Sequence, residues 1–155
     1  MPTVRQARDG YLRATLARAE EAEAKYRSLV ELLPAVTYVE ALDSGRTLSV
    51  SPQIESIFGF TQEEWMGDAN RWESRLHPDD RERVVAACDA ANESRAPFRE
   101  EYRVIARDGR VVWIRDEAEL VRGSSGGPLC WQGVMTDITA ERAAASETVD
   151  SVDRV

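Results

Sequence analysis

The sequence predicts an α+β domain with an N-terminal amphipathic helix, and three observations carry that reading. Phe98 to Thr139 holds three strand-like runs separated by turn signals, an antiparallel meander that needs a cover on its core face. Val36–Leu42 and Thr47–Val50 add two more strand candidates around Asp43-Ser44-Gly45. Between these groups lie capped, apolar-faced helical segments that can supply the cover.

Residues 1–10 are polar and expected to fray. Tyr11 to Leu33 is rich in Ala, Glu, Arg and Leu, all good helix formers. Leu12, Leu16, Ala19, Ala22, Tyr26, Leu29 and Leu33 recur at steps of three and four, a narrow seam. Two readings stay open: a helix lying on its own domain, or one pairing with a second copy. Pro34 ends it.

Ser51-Pro52 reads as a helix start, with Ser51 as cap, Ile54, Ile57 and Phe58 on one face, and Gly59 as terminator. Thr61-Gln62-Glu63-Glu64 is a capping box, with Phe60 and Trp65 at the staple positions. Arg71 to Leu76 allows one more turn. His77-Pro78-Asp79-Asp80 opens the longest central helix, whose apolar face is Val84, Ala87, Cys88 and Ala91. Asp108-Gly109 turns the first strand of the meander into the second. After Thr139, Ala, Glu and Arg favour a helix to about Glu147.

Composition excludes several classes. The chain has 155 residues, 43% hydrophobic and 31% charged, the balance of a soluble globular protein. A net charge of −8 speaks against nucleic acid and anionic membranes as partners. No apolar run approaches the roughly 20 residues of a membrane span, and the N-terminus lacks a signal-peptide core. Two cysteines, Cys88 and Cys130, make no disulfide framework, so a cytoplasmic setting is expected.

Several motifs in order resemble the PAS family with its C-terminal PAC half. They are Leu33-Pro34, Ser51-Pro52, Phe58-Gly59-Phe60-Thr61 with Glu63-Glu64-Trp65, and His77-Pro78-Asp79-Asp80. They continue with Glu101-Tyr102-Arg103, Asp108-Gly109, Trp113, Gly133 and Asp137-Ile138-Thr139. The resemblance divides the chain into an N-terminal helix and linker (1–28), a PAS/PAC domain (29–139) and a C-terminal linker helix or tail (140–155). It implies a five-stranded antiparallel sheet with helices on one face, enclosing a small cavity. It also implies a sensory and dimerisation module that passes ligand or partner binding through flanking helices to an output domain. Asp137, Ile138 and Thr139 match the family's strand-to-helix handover. Tyr38, Phe58, Trp65, Val84, Cys88, Tyr102 and Met135 are the candidates for lining the cavity.

Other readings are weighed against this one. A haem or flavin sensor is the alternative, and a ligand-free interaction scaffold another. His77 sits at a helix cap rather than a turn deeper, which disfavours haem. The Asn-Cys-Arg-Phe-Leu-Gln run of flavin photosensors is absent; Trp65, Trp72, Trp113 and Trp131 could stack on a flavin, but such tryptophans are more often packing. The cofactor is thus left open, with none preferred to either group. One histidine gives no paired-His metal site, and neither a phosphate-cradling loop nor a GGDEF or EAL motif appears. The expected chain is non-catalytic, a possible regulatory part of a histidine kinase or cyclic-dinucleotide enzyme in a two-component system. Val111 and Trp113, interleaved with apolar neighbours, leave an apolar outer sheet face. That face, with Leu12, Leu16, Ala19, Tyr26 and Leu29, is the expected homodimer surface.

Overall fold

The computed structural model describes residues 1–154. Two compact units divide at Leu33/Pro34. The first unit is a single helix, α1 (Val4–Glu31). It starts seven residues before the expected Tyr11, because Thr3 and Gln6 form a capping box: the Thr3 hydroxyl accepts the Gln6 N–H, and the Gln6 side chain accepts the Thr3 N–H. Residues 4–10 of the segment expected to fray are therefore helical. Glu21–Lys25 and Glu23–Arg27 pairs support its second half.

The second unit runs β1 (Ala35–Ala41), β2 (Thr47–Val50), α2 (Gln53–Phe58), α3 (Gln62–Met66), α4 (Arg71–Arg75), α5 (Pro78–Ser94), β3 (Phe98–Ile105), β4 (Val111–Arg122), β5 (Pro128–Asp137) and α6 (Thr139–Asp153). The five strands form one antiparallel sheet in the order β2-β1-β5-β4-β3. The expected five-stranded α+β architecture is what the chain adopts.

Alternation along the strands fixes which side is the core. Val112 and Ile114 on β4 face inward, as do Tyr102 and Val104 on β3 and Val36 on β1. Ile54, Phe58, Leu76 and Val84 from the helices complete that core. α3 carries the expected capping box, and Phe60 packs on Trp65 at 5.8 Å between ring centroids. At the β3–β4 turn only Gly109 takes a positive φ, +90°. α6 extends six residues beyond the expected Glu147.

Two local readings are corrected. Ser51 does not cap α2; its hydroxyl accepts the Thr37 N–H at 2.9 Å and stitches the end of β2 to β1. Asp80 does more than complement a helix dipole. It is buried and receives Arg103 through the backbone N–H, Nε and Nη2 at 2.8–2.9 Å. His77 donates its own N–H to the Arg103 carbonyl, so α5 begins bonded to the outermost strand β3. The His77 imidazole caps α5, its Nδ1 accepting the Asp79 N–H at 3.2 Å.

Candidate ligand cavity and exit helix

The same period-two alternation that buries Val36 and Tyr38 carries Glu40 to the inner face of β1. On β4 it carries Asp116 inward between Ile114 and Ala118. On β5 it carries Trp131, Gly133 and Met135. Facing these across a space of about 430 Å³ are Trp65, Trp72, Cys88 and Asn92 from α3, α4 and α5. The cavity lies between the sheet and its helical cover, within the size range of small-molecule sites.

Its polar centre is Asp116. The Tyr38 hydroxyl donates to Oδ1 at 2.6 Å and the Tyr102 hydroxyl to Oδ2 at 2.6 Å. Trp72 Nε1 in turn donates to the Tyr102 oxygen at 2.8 Å. One carboxyl thus ties β1, β3, β4 and α4 together. Tyr38 can reach it because Gly133, its partner in register on β5, has no Cβ to block the ring.

Burial sets the ionisation of this wall. It lifts Asp116 to about 6 despite the opposing tyrosine hydrogen bonds. Burial, with Asp116 close by, lifts Glu40 to about 7. The phenols of Tyr38 and Tyr102 are pushed up by burial and then by Asp116. The Cys88 thiol rises to about 11, chiefly through burial, and stays protonated and unreactive at neutral pH. Among the described residues no group of His, Cys, Asp and Glu is placed to hold a metal ion.

A pH profile follows. An acid whose folded-state value lies above its unfolded one favours the folded state while it keeps its proton. That contribution disappears as pH rises from about 4 through the raised values near 6 and 7. At about 1.4 kcal/mol per unit, each acid accounts for up to roughly 3 kcal/mol, and solvent screening reduces the share of the less enclosed Glu40. Urea unfolding is expected to give higher stability at pH 5 than at pH 8. Glu40→Gln is expected to raise stability at pH 8 and flatten the profile. A wild-type profile flat between these pH values would contradict the burial of both acids away from any cation.

Of the seven residues expected to line the cavity, Tyr38, Trp65, Cys88 and Met135 do so. Phe58, Val84 and Tyr102 lie behind the wall in the core, Tyr102 touching it through Asp116. Glu40 and Asp116 were missed, although the strand alternation around them was there to read.

The exit from the sheet is tightly specified. Asp137 Oδ1 accepts both the N–H and the hydroxyl of Thr139, at 3.0 and 2.7 Å. The Trp113 N–H donates to Thr139 Oγ1 at 3.0 Å, and the buried Ile138 donates its N–H to the Trp113 carbonyl at 2.9 Å. The indole of Trp113, on the outer face of β4, has two guanidinium groups beside it. Arg142 of α6 stands 3.6 Å from the ring centroid and Arg103 of β3 stands 5.0 Å away. Arg115 bridges Glu101 and Glu141. The apolar outer face expected at Trp113 is thus partly covered by cations from the domain itself, while Val111 is exposed. Leu12, Leu16, Ala19, Tyr26 and Leu29 are exposed along α1.

A family model described as the PAS fold matches residues 47–135. The chain is 31% identical over 142 residues to the two-component sensor PprA of Pseudomonas aeruginosa, covering 88% of this chain and 15% of that protein. It is 36% identical over 108 residues to the methyl sulfide methyltransferase-associated sensor of Methanosarcina acetivorans, covering 68% of this chain and 10% of that protein. Among solved structures it resembles the N-terminal domain of a diguanylate cyclase with PAS/PAC sensor from Marinobacter aquaeolei. There the identity is 34% and the TM-score 0.63, over 70% of this chain and 98% of that one. The chain therefore spans only a small part of the curated relatives it matches. Among the described residues no helix is long and apolar enough to cross a membrane.

Proposed function

Because this chain belongs to the PAS fold family, we propose that it is a sensory module, non-catalytic in itself, that reads occupancy of its cavity and passes the result through α6 to an output domain. The output would be a histidine kinase or a cyclic-dinucleotide enzyme, since a sensory box histidine kinase/response regulator and a diguanylate cyclase are both named among the solved structures it resembles. The observation that carries this reading is the pair of hydrogen bonds between the Trp113 backbone and the Ile138-Thr139 start of α6. β4 walls the cavity on its inner side and holds the Ile138-Thr139 junction through its own backbone. A shift of β4 therefore re-aims the helix, since packed elements move as bodies rather than deforming smoothly.

Filling the cavity from the sheet side tests this. Ala118 lines it on β4, and Ala118→Phe, or the milder Ala118→Leu, stands in for an occupant. Hydrogen exchange of the amides of residues 138–142 is expected to change severalfold in these variants. The change is expected to be lost when Thr139→Val removes the shared hydroxyl, at a cost of about 1 kcal/mol in stability. Folded filling variants with unaltered exchange at those amides would sink the relay.

The same reading has α1 pairing with a second copy along Leu12, Leu16, Ala19, Tyr26 and Leu29, with Val111 and Trp113 as the sheet-side part of the surface. With Ala22 between Ala19 and Tyr26, the helix positions recur at steps of three and four and form a continuous seam. Removing residues 1–27 is expected to shift sedimentation from dimer towards monomer. An unchanged distribution would count against the seam.

A further inference from the structure

The cavity's lining specifies a class of occupant, an inference that rests on the sensory reading above. Six acidic side chains line the space, against a single arginine, Arg71; Asp43, Asp68, Glu73 and Asp89 are exposed to solvent, so Glu40 and Asp116 are the two drawn away from solvent with no cation beside them. Among the described residues there is no metal-binding cluster to supply the missing positive charge. The rings of Tyr38, Trp65, Trp72 and Trp131 line the same space, and aromatic faces attract cations. Asp116 uses one lone pair on each oxygen for its two tyrosines, which leaves acceptor capacity on both.

An independent observation points to an occupant. Trp131 is 5% exposed, and its buried indole nitrogen has no hydrogen-bond partner among the described residues. An indole N–H can only donate, so it calls for an acceptor that the protein does not provide. Trp131 also stands directly opposite Glu40 in the β1–β5 register, on the inner face of the sheet. Side chains paired in this way are near neighbours. A ligand that satisfies both has to carry its positive nitrogen and its acceptor oxygen close together.

We propose that the cavity binds a small organic ammonium ion with an oxygen on a neighbouring carbon, the amine set against Glu40 and Asp116 and the oxygen against Trp131 Nε1. A neutral molecule of the same shape leaves the carboxylates uncompensated. An amine lacking the oxygen leaves the indole N–H unpaired.

Isothermal titration of the whole chain at pH 8 with three matched probes tests this. 2-Amino-1-phenylethanol has both groups, 1-phenylpropan-1-ol replaces the ammonium by a methyl group, and 2-phenylethylamine lacks the hydroxyl. The amino alcohol is expected to bind about tenfold or more tighter than the neutral alcohol. Glu40→Gln is expected to erase most of that preference while leaving the neutral alcohol's affinity in place. Trp131→Phe is expected to erase the difference between the two amines. Equal or tighter binding of the neutral alcohol to the wild type would overturn the ammonium class and leave the cavity as a ligand site. Failure of all three probes to bind at about 10 mM, a free energy near −3 kcal/mol, would overturn both.

Discussion

Gly133→Ala is expected to destabilise the domain by about 3 kcal/mol, roughly six times the ~0.5 kcal/mol that bounds a typical surface substitution. A Cβ at this position would lie 2.7 Å from Tyr38 Cε1 and closer still to the phenol end of the ring. Tyr38 cannot swing away cheaply, because its hydroxyl is one of two donors holding the buried Asp116. Overpacking costs roughly 1–3 kcal/mol, and an unpaired buried acceptor adds about 1–3 more. Backbone freedom is not the reason for the glycine, since Gly133 is not among the positive-φ residues. Adding Tyr38→Ala to Gly133→Ala removes the clash. The two changes are therefore expected to be non-additive by about 1–2 kcal/mol in urea unfolding. Strict additivity would show that the ring and the strand do not compete for that space.

Asp80→Ala is the second large effect, about 3 kcal/mol of lost stability. It strips the carboxylate from Arg103 Nε and Nη2 and from the Arg103 backbone N–H. Removing one side of a buried ion pair costs about 3–5 kcal/mol, and the partial exposure of Arg103 puts this case at the low end. The Arg103 guanidinium holds the Asp80 carboxyl at about 2. Its contribution is therefore complete above the ordinary carboxylate range and disappears as pH falls from about 4 through 2. The variant should unfold less steeply than the wild type over that interval. Asp79→Ala, one residue earlier and exposed, is expected to change stability by less than about 0.5 kcal/mol. Equal losses at the two positions would contradict the difference in burial.

The strands, the short helices and their order were legible because each announces itself locally. Asp108-Gly109, the Thr61 capping box and Pro78 all state a boundary within four residues. The cavity wall was less legible for a reason that can be named. Apolarity served as the criterion for lining residues, and it selected Phe58 and Val84, which the core absorbs. Counting every second residue from Tyr38 and from Ile114 would have found Glu40 and Asp116 without regard to polarity. What no count along the chain supplies is the pairing of Asp80 with Arg103, or of Tyr38 with Gly133. These depend on which elements meet, across 23 residues in the first case. The early start of α1 belongs to a third kind: the Thr3–Gln6 box was in plain view and outweighed by the polarity around it.

The bonds from His77 and Asp80 to Arg103, with the Leu76–Val104 bridge beside them, have a consequence for assembly. They occupy the backbone groups at the middle of β3 that would otherwise serve as a template for an incoming strand. Copies of this domain cannot polymerise there by sheet extension unless the front of α5 first lifts away. Association through that flank is thus restricted to side-chain surfaces, which are open to selection one residue at a time.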